Sequence, residues 1–374
     1  MMTILDETRL RAAKLSYAVR HVPMSDLRVI DDAPRAPRAG DVVLARIVTL
    51  GKLGRLENPN GRRAELFEGD EVILAYGNRY APDAYEAETP RDLSECDLAA
   101  AGGLASRVIN TNAIFAGEDS PPTRIQPLGV FMGADGLPVN LEDYAIRPAA
   151  ARRAIPVICV FGASMNAGKT TTAASIMHGL ARQGRVVGAA KVTGTCAGGD
   201  LWTFRDHGAV ETVDFTDAGH ATTYLADVDR LAAQAHDLVG TLQARGCDVA
   251  VIEVADGIFQ RETSALLRHR VFRQLVDHWV FAAESAPGIL SGWQYARELD
   301  IPLAVMSGAV TASPLAMREA SRFVSVPLAN IGTLREGVLQ AGWLRNASSG
   351  TIAADLMHPG GEDFGFSLQT RAAS

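Results

Sequence analysis

Two periods of hydrophobic patterning divide this chain. Up to about residue 150 the apolar residues come in short, strand-length runs. One run, Asp41 to Val48, carries Val42, Val43, Leu44 and Ile47, and a second, Glu71 to Tyr76, carries Val72, Ile73 and Leu74. A Gly-Asp pair announces each run (Gly40-Asp41, Gly69-Asp70), and Asn58-Pro59-Asn60-Gly61 between them is a turn signal. Short strands at this spacing predict a small barrel or sandwich. The strand pattern restarts over Gly102 to Asn110, Glu118 to Pro122 reads as a surface loop, and Ala134 to Gly136 reads as a hairpin turn.

From about residue 154 the pattern changes. Ile155, Val157, Ile158, Val160 and Phe161 form a strand-like run, and Ala173, Ile176, Met177, Leu180 and Ala181 recur at helical spacing, with Gly184 as the stop. Strands follow over Val186 to Ala190, Val249 to Val254, Trp279 to Ala283, Leu303 to Met306 and Phe323 to Val326, with helices over Leu225 to Ala244, Glu262 to Val276 and Ile289 to Leu299. Strands apolar on both faces, alternating with helices, predict an α/β fold: a parallel sheet covered on both sides.

Between the first of these strands and its helix lies a small-residue loop, Gly162 to Gly168, closed by Lys169 and Thr170. In such a loop the backbone N–H groups turn inward on a phosphate, the lysine reaches its outer oxygens, and the threonine hydroxyl ligates Mg²⁺. An ordinary Gly-rich turn would leave Lys169 unexplained. The loop assigns Gly162, Ala163, Ser164, Met165, Asn166, Ala167, Gly168, Lys169, Thr170 and Thr171 to phosphate binding. The expected organisation is a β-rich domain over 1–150, a P-loop nucleotide-binding α/β domain over 151–345 and a loosely held tail over 346–374.

Composition narrows the partners. At 374 residues, 47% hydrophobic and 21% charged, the chain suits two globular domains. A net charge of −7 argues against a general nucleic-acid or anionic-membrane surface, which leaves small molecules or proteins as partners. Cys96, Cys159, Cys196 and Cys247 are far apart and read as buried thiols in a reducing compartment. No run approaches the ~20 apolar residues of a membrane span, and the expected location is cytoplasmic. The eight histidines show no metal spacing, and only His220 is placed near the presumed site.

Ligands of parallel sheets bind at the carboxyl ends of the strands. After the second strand come Lys191, Gly194, Thr195, Cys196 and Asp200; Lys191 offers charge to a phosphate, and Asp200 a hard oxygen to Mg²⁺. After the third come Glu253, the expected holder of Mg²⁺ or its water, and Asp256, expected to touch substrate or water. The stretches Ser285 to Arg297 and Ser307-Gly308 either enclose a base or substrate or serve as helix caps. The tract Tyr76 to Tyr85 crowds aromatic rings and an arginine into a loop. It reads either as an aromatic turn packed on the second domain or as a binding loop, with Arg79 and Tyr80 as candidates of second rank.

The loop Gly162-Ala-Ser-Met-Asn-Ala-Gly-Lys-Thr170 resembles the longer P-loop of the dethiobiotin synthetase and cobyrinate amide synthetase group, within the class of signalling, metal-chaperone and partitioning NTPases. The resemblance spans about residues 155 to 310. It aligns Lys191 with that group's second-strand lysine, Glu253 with its metal-binding glutamate, and Pro287 to Gly292 with its Gly-x-x-Asn/Ser loop; Asn166 stands where the group carries an acid, and Ser307 where several members carry a base-reading Asn. It implies ATP and Mg²⁺ as cofactors, catalytic roles for Lys169, Lys191, Glu253 and Asp256, and a metal held by Thr170, Asp200 and Glu253. The expected reaction is transfer of the γ-phosphoryl group to a small-molecule carboxylate by a ligase or kinase, in a chain that dimerises across its nucleotide face. Three alternatives stand beside it: an acyltransferase whose loop holds the phosphates of coenzyme A, a nucleotide-switched protein-binding or chaperone NTPase, and a polynucleotide kinase, which the acidic balance disfavours.

Overall fold

The computed structural model describes residues 1–116, 121–147 and 155–347. Most of the loop predicted at Glu118 to Pro122, the boundary near residue 150 and nearly all of the predicted 346–374 tail lie outside these residues.

The N-terminal strands form one hydrogen-bonded sheet that closes on itself. Its elements are Val42–Thr49 (β1), Glu71–Tyr76 (β2), Arg79–Tyr80 (β3), Tyr85–Glu88 (β4), Cys96–Ala100 (β5), Leu104–Thr111 (β6) and Thr123–Phe131 (β7). The ring runs β7, β1, β2, β6, β5 and back to β7, so of the two predicted architectures it is the barrel. The strand period of two explains the closure. Val43, Ala45, Ile47, Val72 and Leu74 point into the barrel with Leu98, Ile125 and Val130. Val42, Leu44, Ile73 and Ala75 point outward, onto Tyr17, Val19 and Leu27 of the preceding segment and onto Cys196 and Ala221 of the second sheet's loops. The β3–β4 hairpin leaves the barrel from the outer part of β6, pairing Tyr85 with Thr111 and Glu88 with Arg107.

The second sheet contains Val157–Gly162 (β8), Val187–Lys191 (β9), Glu211–Asp214 (β10), Val249–Glu253 (β11), His278–Ala282 (β12) and Leu303–Ser307 (β13). They are parallel, in the order β10-β9-β11-β8-β12-β13. Alternate residues of β8 feed two cores: Ile158 and Val160 meet Ala173, Ile176, Met177 and Leu180 of helix Lys169–Arg182 (α1) on one face. Val157, Cys159 and Phe161 meet Leu231, Ala235, Leu238 and Leu242 of helix Val228–Ala244 on the other. Among the described residues, no helix is long and apolar enough to cross a membrane.

Three local expectations are corrected. Phe323 to Val326 is not a strand: Phe323 is exposed, and the sheet is met only by an isolated bridge from Leu328 to Met306. A short apolar run before a proline does not distinguish a strand from a packed loop. The helix predicted over Glu262 to Val276 is two helices, Arg261–Arg268 and Arg270–Leu275, parted by the extended backbone of His269. The edge strand β10 was not predicted because two of its three buried residues, Thr212 and Asp214, are polar, leaving Val213 as its single apolar core residue.

Asp214 is tolerated there because the barrel side satisfies it. Tyr17 Oη donates to its Oδ2 at 2.8 Å, Arg20 to its Oδ1 at 3.2 Å, and the Thr216 amide to its Oδ1 at 2.8 Å. Arg20 also donates to Asp217 at 2.8 Å, and His21 contacts the same carboxylate. A single guanidinium thus pairs with two buried carboxylates and ties the N-terminal segment to the end of β10 and the loop after it. Removing one partner of a buried ion pair leaves uncompensated charge and typically costs ~3–5 kcal/mol. Arg20→Ala should therefore lower stability by about that amount in urea denaturation, and an unchanged midpoint would remove this contact from the account.

Candidate active site

Three strand ends converge. In the sheet register Lys191 is the neighbour of Glu253 across β9 and β11, and Glu253 lies beside Val160 of β8, two residues before the loop begins. The loop is pinned at both ends: the Ala163 amide donates to the Ala282 carbonyl at 2.9 Å, and the Ala309 amide donates to the Ala167 carbonyl at 3.1 Å. Asn166 and Gly168 adopt left-handed backbone, with φ of 69° and 91°. Asn tolerates this region better than most side chains, and glycine accepts it freely. Gly168 is doubly constrained, since a Cβ there would stand 2.8 Å from the Ala309 nitrogen.

Lys169 opens α1 and is buried. Its ammonium donates to the Ser164 carbonyl at 2.7 Å, arching across the loop it belongs to. Burial lowers its pKa, against the opposing pull of Glu253 and Asp256. Thr170 Oγ1 donates to Glu253 Oε1 at 3.3 Å, whereas the buried Glu253 Oε2 has no hydrogen-bond partner. Burial raises the Glu253 pKa, with the nearby lysines acting in the opposite direction. An orphaned carboxylate oxygen beside a threonine hydroxyl suits Mg²⁺, which binds through one or two carboxylates together with phosphate oxygens and water. Among the described residues no three His, Cys, Asp or Glu side chains gather as a self-sufficient metal cage, so such a cation would rest on Thr170, Glu253 and its own ligand.

Asp200, expected to offer an oxygen to the metal, lines the same cavity as Thr170 and Glu253 and is ion-paired with Lys191. Burial disfavours the Lys191 charge, but Asp200 and Glu253 outweigh it and raise the pKa. Asp256 also has left-handed backbone, with φ 64°, and burial pushes its carboxyl up to about 6.

These groups line a cavity of about 490 Å³. Met165, Asn166, Gly168, Lys169, Thr170, Thr171, Lys191, Asp200, Glu253 and Asp256 are on its wall; Gly162, Ala163, Ser164 and Ala167 stand behind it as loop framework. The opposite wall is Arg79, Tyr80 and Ala81 from the barrel hairpin, with Gly194 and Thr195. The hairpin also meets the loop directly: Asn166 Nδ2 donates to Asp83 Oδ2 at 3.3 Å. Nearby, Tyr80 lies 5.5 Å from Tyr224, centroid to centroid, and Asn78 donates to the Tyr224 carbonyl at 3.4 Å. The aromatic tract Tyr76 to Tyr85 was the sequence signal for this wall. Asp83, the residue that touches the loop, carried no signal of its own.

Other candidates lie elsewhere. Ser307 is buried and spends its hydroxyl on the Ala329 carbonyl at 2.7 Å, while Ser285 caps helix Ala286–Glu298 through the Gly288 amide at 3.2 Å. Neither lines the cavity, so of the two readings these are caps and packing. His220 lines a separate cavity of about 300 Å³ with Asn78 and Tyr224. All four cysteines are buried, and burial pushes Cys196 up to about 12, far from a reactive thiolate.

No family model matches this chain, and no curated protein matches it. Among solved structures it is similar to the signal recognition particle receptor FtsY of Elizabethkingia anophelis (16% identity, TM-score 0.31, 53% of this chain and 57% of that one). It is also similar to the cell division protein FtsY of Thermotoga maritima (19%, TM-score 0.33, 55% and 62%) and to the 54 kDa signal recognition particle protein of Aeropyrum pernix in complex with GDP (17%, TM-score 0.35, 53% and 50%). The chain therefore spans little more than half of the first of these proteins. The likeness is distant and carries no activity across; the P-loop α/β fold stands on the strand order and loop described above.

The expected transfer of a γ-phosphoryl group to a small carboxylate by a ligase or kinase is corrected. The similar structures are a signal recognition particle receptor, a cell division protein and a signal recognition particle protein bound to GDP, and none is named as a ligase or kinase. Within the site, Lys191, expected to steady the transferred group, is engaged by Asp200.

The raised Asp256 carboxyl sets a pH dependence. Between the ordinary value of 3.8 and about 6 the unfolded chain gives up this proton and the folded chain keeps it, so the contribution of Asp256 to stability falls as pH rises through that window. The added negative charge should also weaken metal-free sulfate binding as pH rises through about 6. Calorimetric titration of sulfate should show this fall, and Asp256→Asn should flatten it. Equal slopes in the two proteins would assign the titration to another group.

Proposed function

We propose that this chain is a Mg²⁺-dependent, nucleotide-switched NTPase, in which a phosphate-bearing ligand on the loop changes how the barrel domain engages a protein partner. The observation that carries this reading is the hydrogen bond from Asn166, in the phosphate loop, to Asp83, in the barrel hairpin. Loop amides that turn onto a phosphate move the residue that holds the second domain, so binding energy has a direct mechanical outlet. Lys169 and the inward amides would hold the outer phosphates, and Thr170 and Glu253 would hold Mg²⁺, which neutralises phosphate charge when bound. The Lys191–Asp200 pair, already satisfied, would orient Glu253 rather than donate charge of its own. Slow nucleotide hydrolysis stimulated by a protein fits this arrangement, and a small acceptor is not required.

A second reading, an acyltransferase whose loop holds the phosphates of coenzyme A, draws support from a different observation. Asp256, titrating near 6, is poised as a general base.

Hydrogen–deuterium exchange with ATP, GTP and acetyl-coenzyme A, each with and without Mg²⁺, separates the two readings. The switch predicts that a triphosphate with Mg²⁺ slows exchange over residues 79–88, and that Lys169→Ala loses this protection along with about a hundredfold in affinity. Protection by acetyl-coenzyme A that is indifferent to Mg²⁺ would select the acyltransferase. Protection confined to the loop would contradict the switch.

A further inference from the structure

The barrel grips the loop after β9 at two points, neither of them on the cavity wall. The first is Glu57, at the end of strand Arg55–Glu57, which pairs with Arg63–Glu65 in a short hairpin. Leu56 is buried in the barrel core, so strand alternation turns Glu57 the other way, where it is buried against the loop. The Gly198 amide donates to Glu57 Oε1 at 3.1 Å. The second point is Gly102, where a Cβ would stand 1.9 Å from the Cys196 carbonyl oxygen. The Glu57 amide donates to the Ala101 carbonyl at 2.7 Å, which joins the two points into one edge.

Gly198 is glycine because of the barrel and not because of its backbone. Its φ of −81° and ψ of −14° suit any residue, yet a Cβ there would stand 2.7 Å from Glu57 Oε1 and 2.9 Å from both Trp202 Nε1 and Tyr17 Cε2. Gly198 caps helix Gly199–Asp206, whose first turn holds Asp200. The chain of contacts from the barrel to the cavity is therefore short: Glu57 fixes Gly198, the helix start fixes Asp200, and Asp200 pairs with Lys191. Lys191 is in turn the register neighbour of Glu253, whose Oε2 has no partner. A Lys191 released from Asp200 would have that oxygen as its acceptor, and Mg²⁺ would lose it.

We propose that Glu57 is a positioning residue for the phosphate site: through Gly198 it holds Asp200 against Lys191 and so keeps the Glu253 carboxylate free for Mg²⁺. This role rests on the NTPase reading for its effect on binding, whereas the placement of the helix is a property of the free chain. It gives the barrel a second route into the site. Unlike the exposed bond between Asn166 and Asp83, this one is buried.

Calorimetric titration of pyrophosphate into the full chain, with and without Mg²⁺, measures how far the cation strengthens binding. Glu57→Ala should cut that strengthening about tenfold, and Glu57→Gln, which keeps an oxygen for the Gly198 amide, should hold it within about twofold of the native chain. Asp200→Ala should cause a loss like that of Glu57→Ala, and the double variant should lose no more than either alone. Gly198→Ala pushes the same contact apart with Glu57 unchanged, so it should reproduce the loss, and it stands in for Glu57→Ala if that variant does not fold. Losses that add, full strengthening in Glu57→Ala, or a Gln variant as weak as Ala would each overturn the role. If the native chain does not bind pyrophosphate, the phosphate reading fails, and hydrogen exchange of the free chain decides the placement alone. Glu57→Ala should then speed exchange over helix Gly199–Asp206 at least about fivefold and leave helix Val228–Ala244 unchanged. Native exchange over Gly199–Asp206 would overturn it.

Discussion

Two lysines and three carboxylates share the carboxyl edge of a parallel sheet, and their mutual neutralisation is the constraint on which the remaining architecture depends. Lys169, Lys191, Asp200, Glu253 and Asp256 come from three different strand-to-helix connections, and register brings Lys191 and Glu253 side by side. Charges so enclosed are tolerated only in close pairs. Lys191 and Asp200 form one, and Lys169 turns onto the Ser164 carbonyl. Glu253 is left with one satisfied and one unsatisfied oxygen. The imbalance is local and points at a cation accompanied by a phosphate.

The barrel completes this edge rather than merely accompanying it. Its outward residues pack against Cys196 and Ala221, Arg20 gathers Asp214 and Asp217, and its hairpin roofs the cavity. The first two contacts are buried, one apolar and one a doubly shared ion pair. The third, Asn166 to Asp83, is a single exposed hydrogen bond of 3.3 Å, weak enough to break and re-form with the loop's conformation. A firm hinge side and a weak latch side are what a switch between two arrangements requires.

How much of this was legible in the sequence follows from the range of the interactions involved. The loop Gly162 to Thr170, its strand and its helix are local, and periodicity with small residues announced them. Glu253 was found because a carboxylate ending an apolar strand has few structural reasons to be there. Asp200 is legible as a hard oxygen after the second strand, but its pairing with Lys191 is not, because that pairing depends on the turn into helix Gly199–Asp206, which glycines at 198 and 199 do not announce. Strand β10 was invisible because the partners that satisfy Asp214, Tyr17 and Arg20, lie almost 200 positions away. A separation of 83 positions hid the pairing of Asp83 with Asn166, although the tract containing Asp83 was already marked by its arginine and aromatic rings.

The central claim is that this strand edge is a phosphate site completed by a divalent cation. Isothermal titration of pyrophosphate into the full chain, with and without Mg²⁺, tests it most directly. The account predicts saturable binding at one site per chain that strengthens when Mg²⁺ is present. No saturable binding under either condition, or binding that Mg²⁺ weakens, would contradict it.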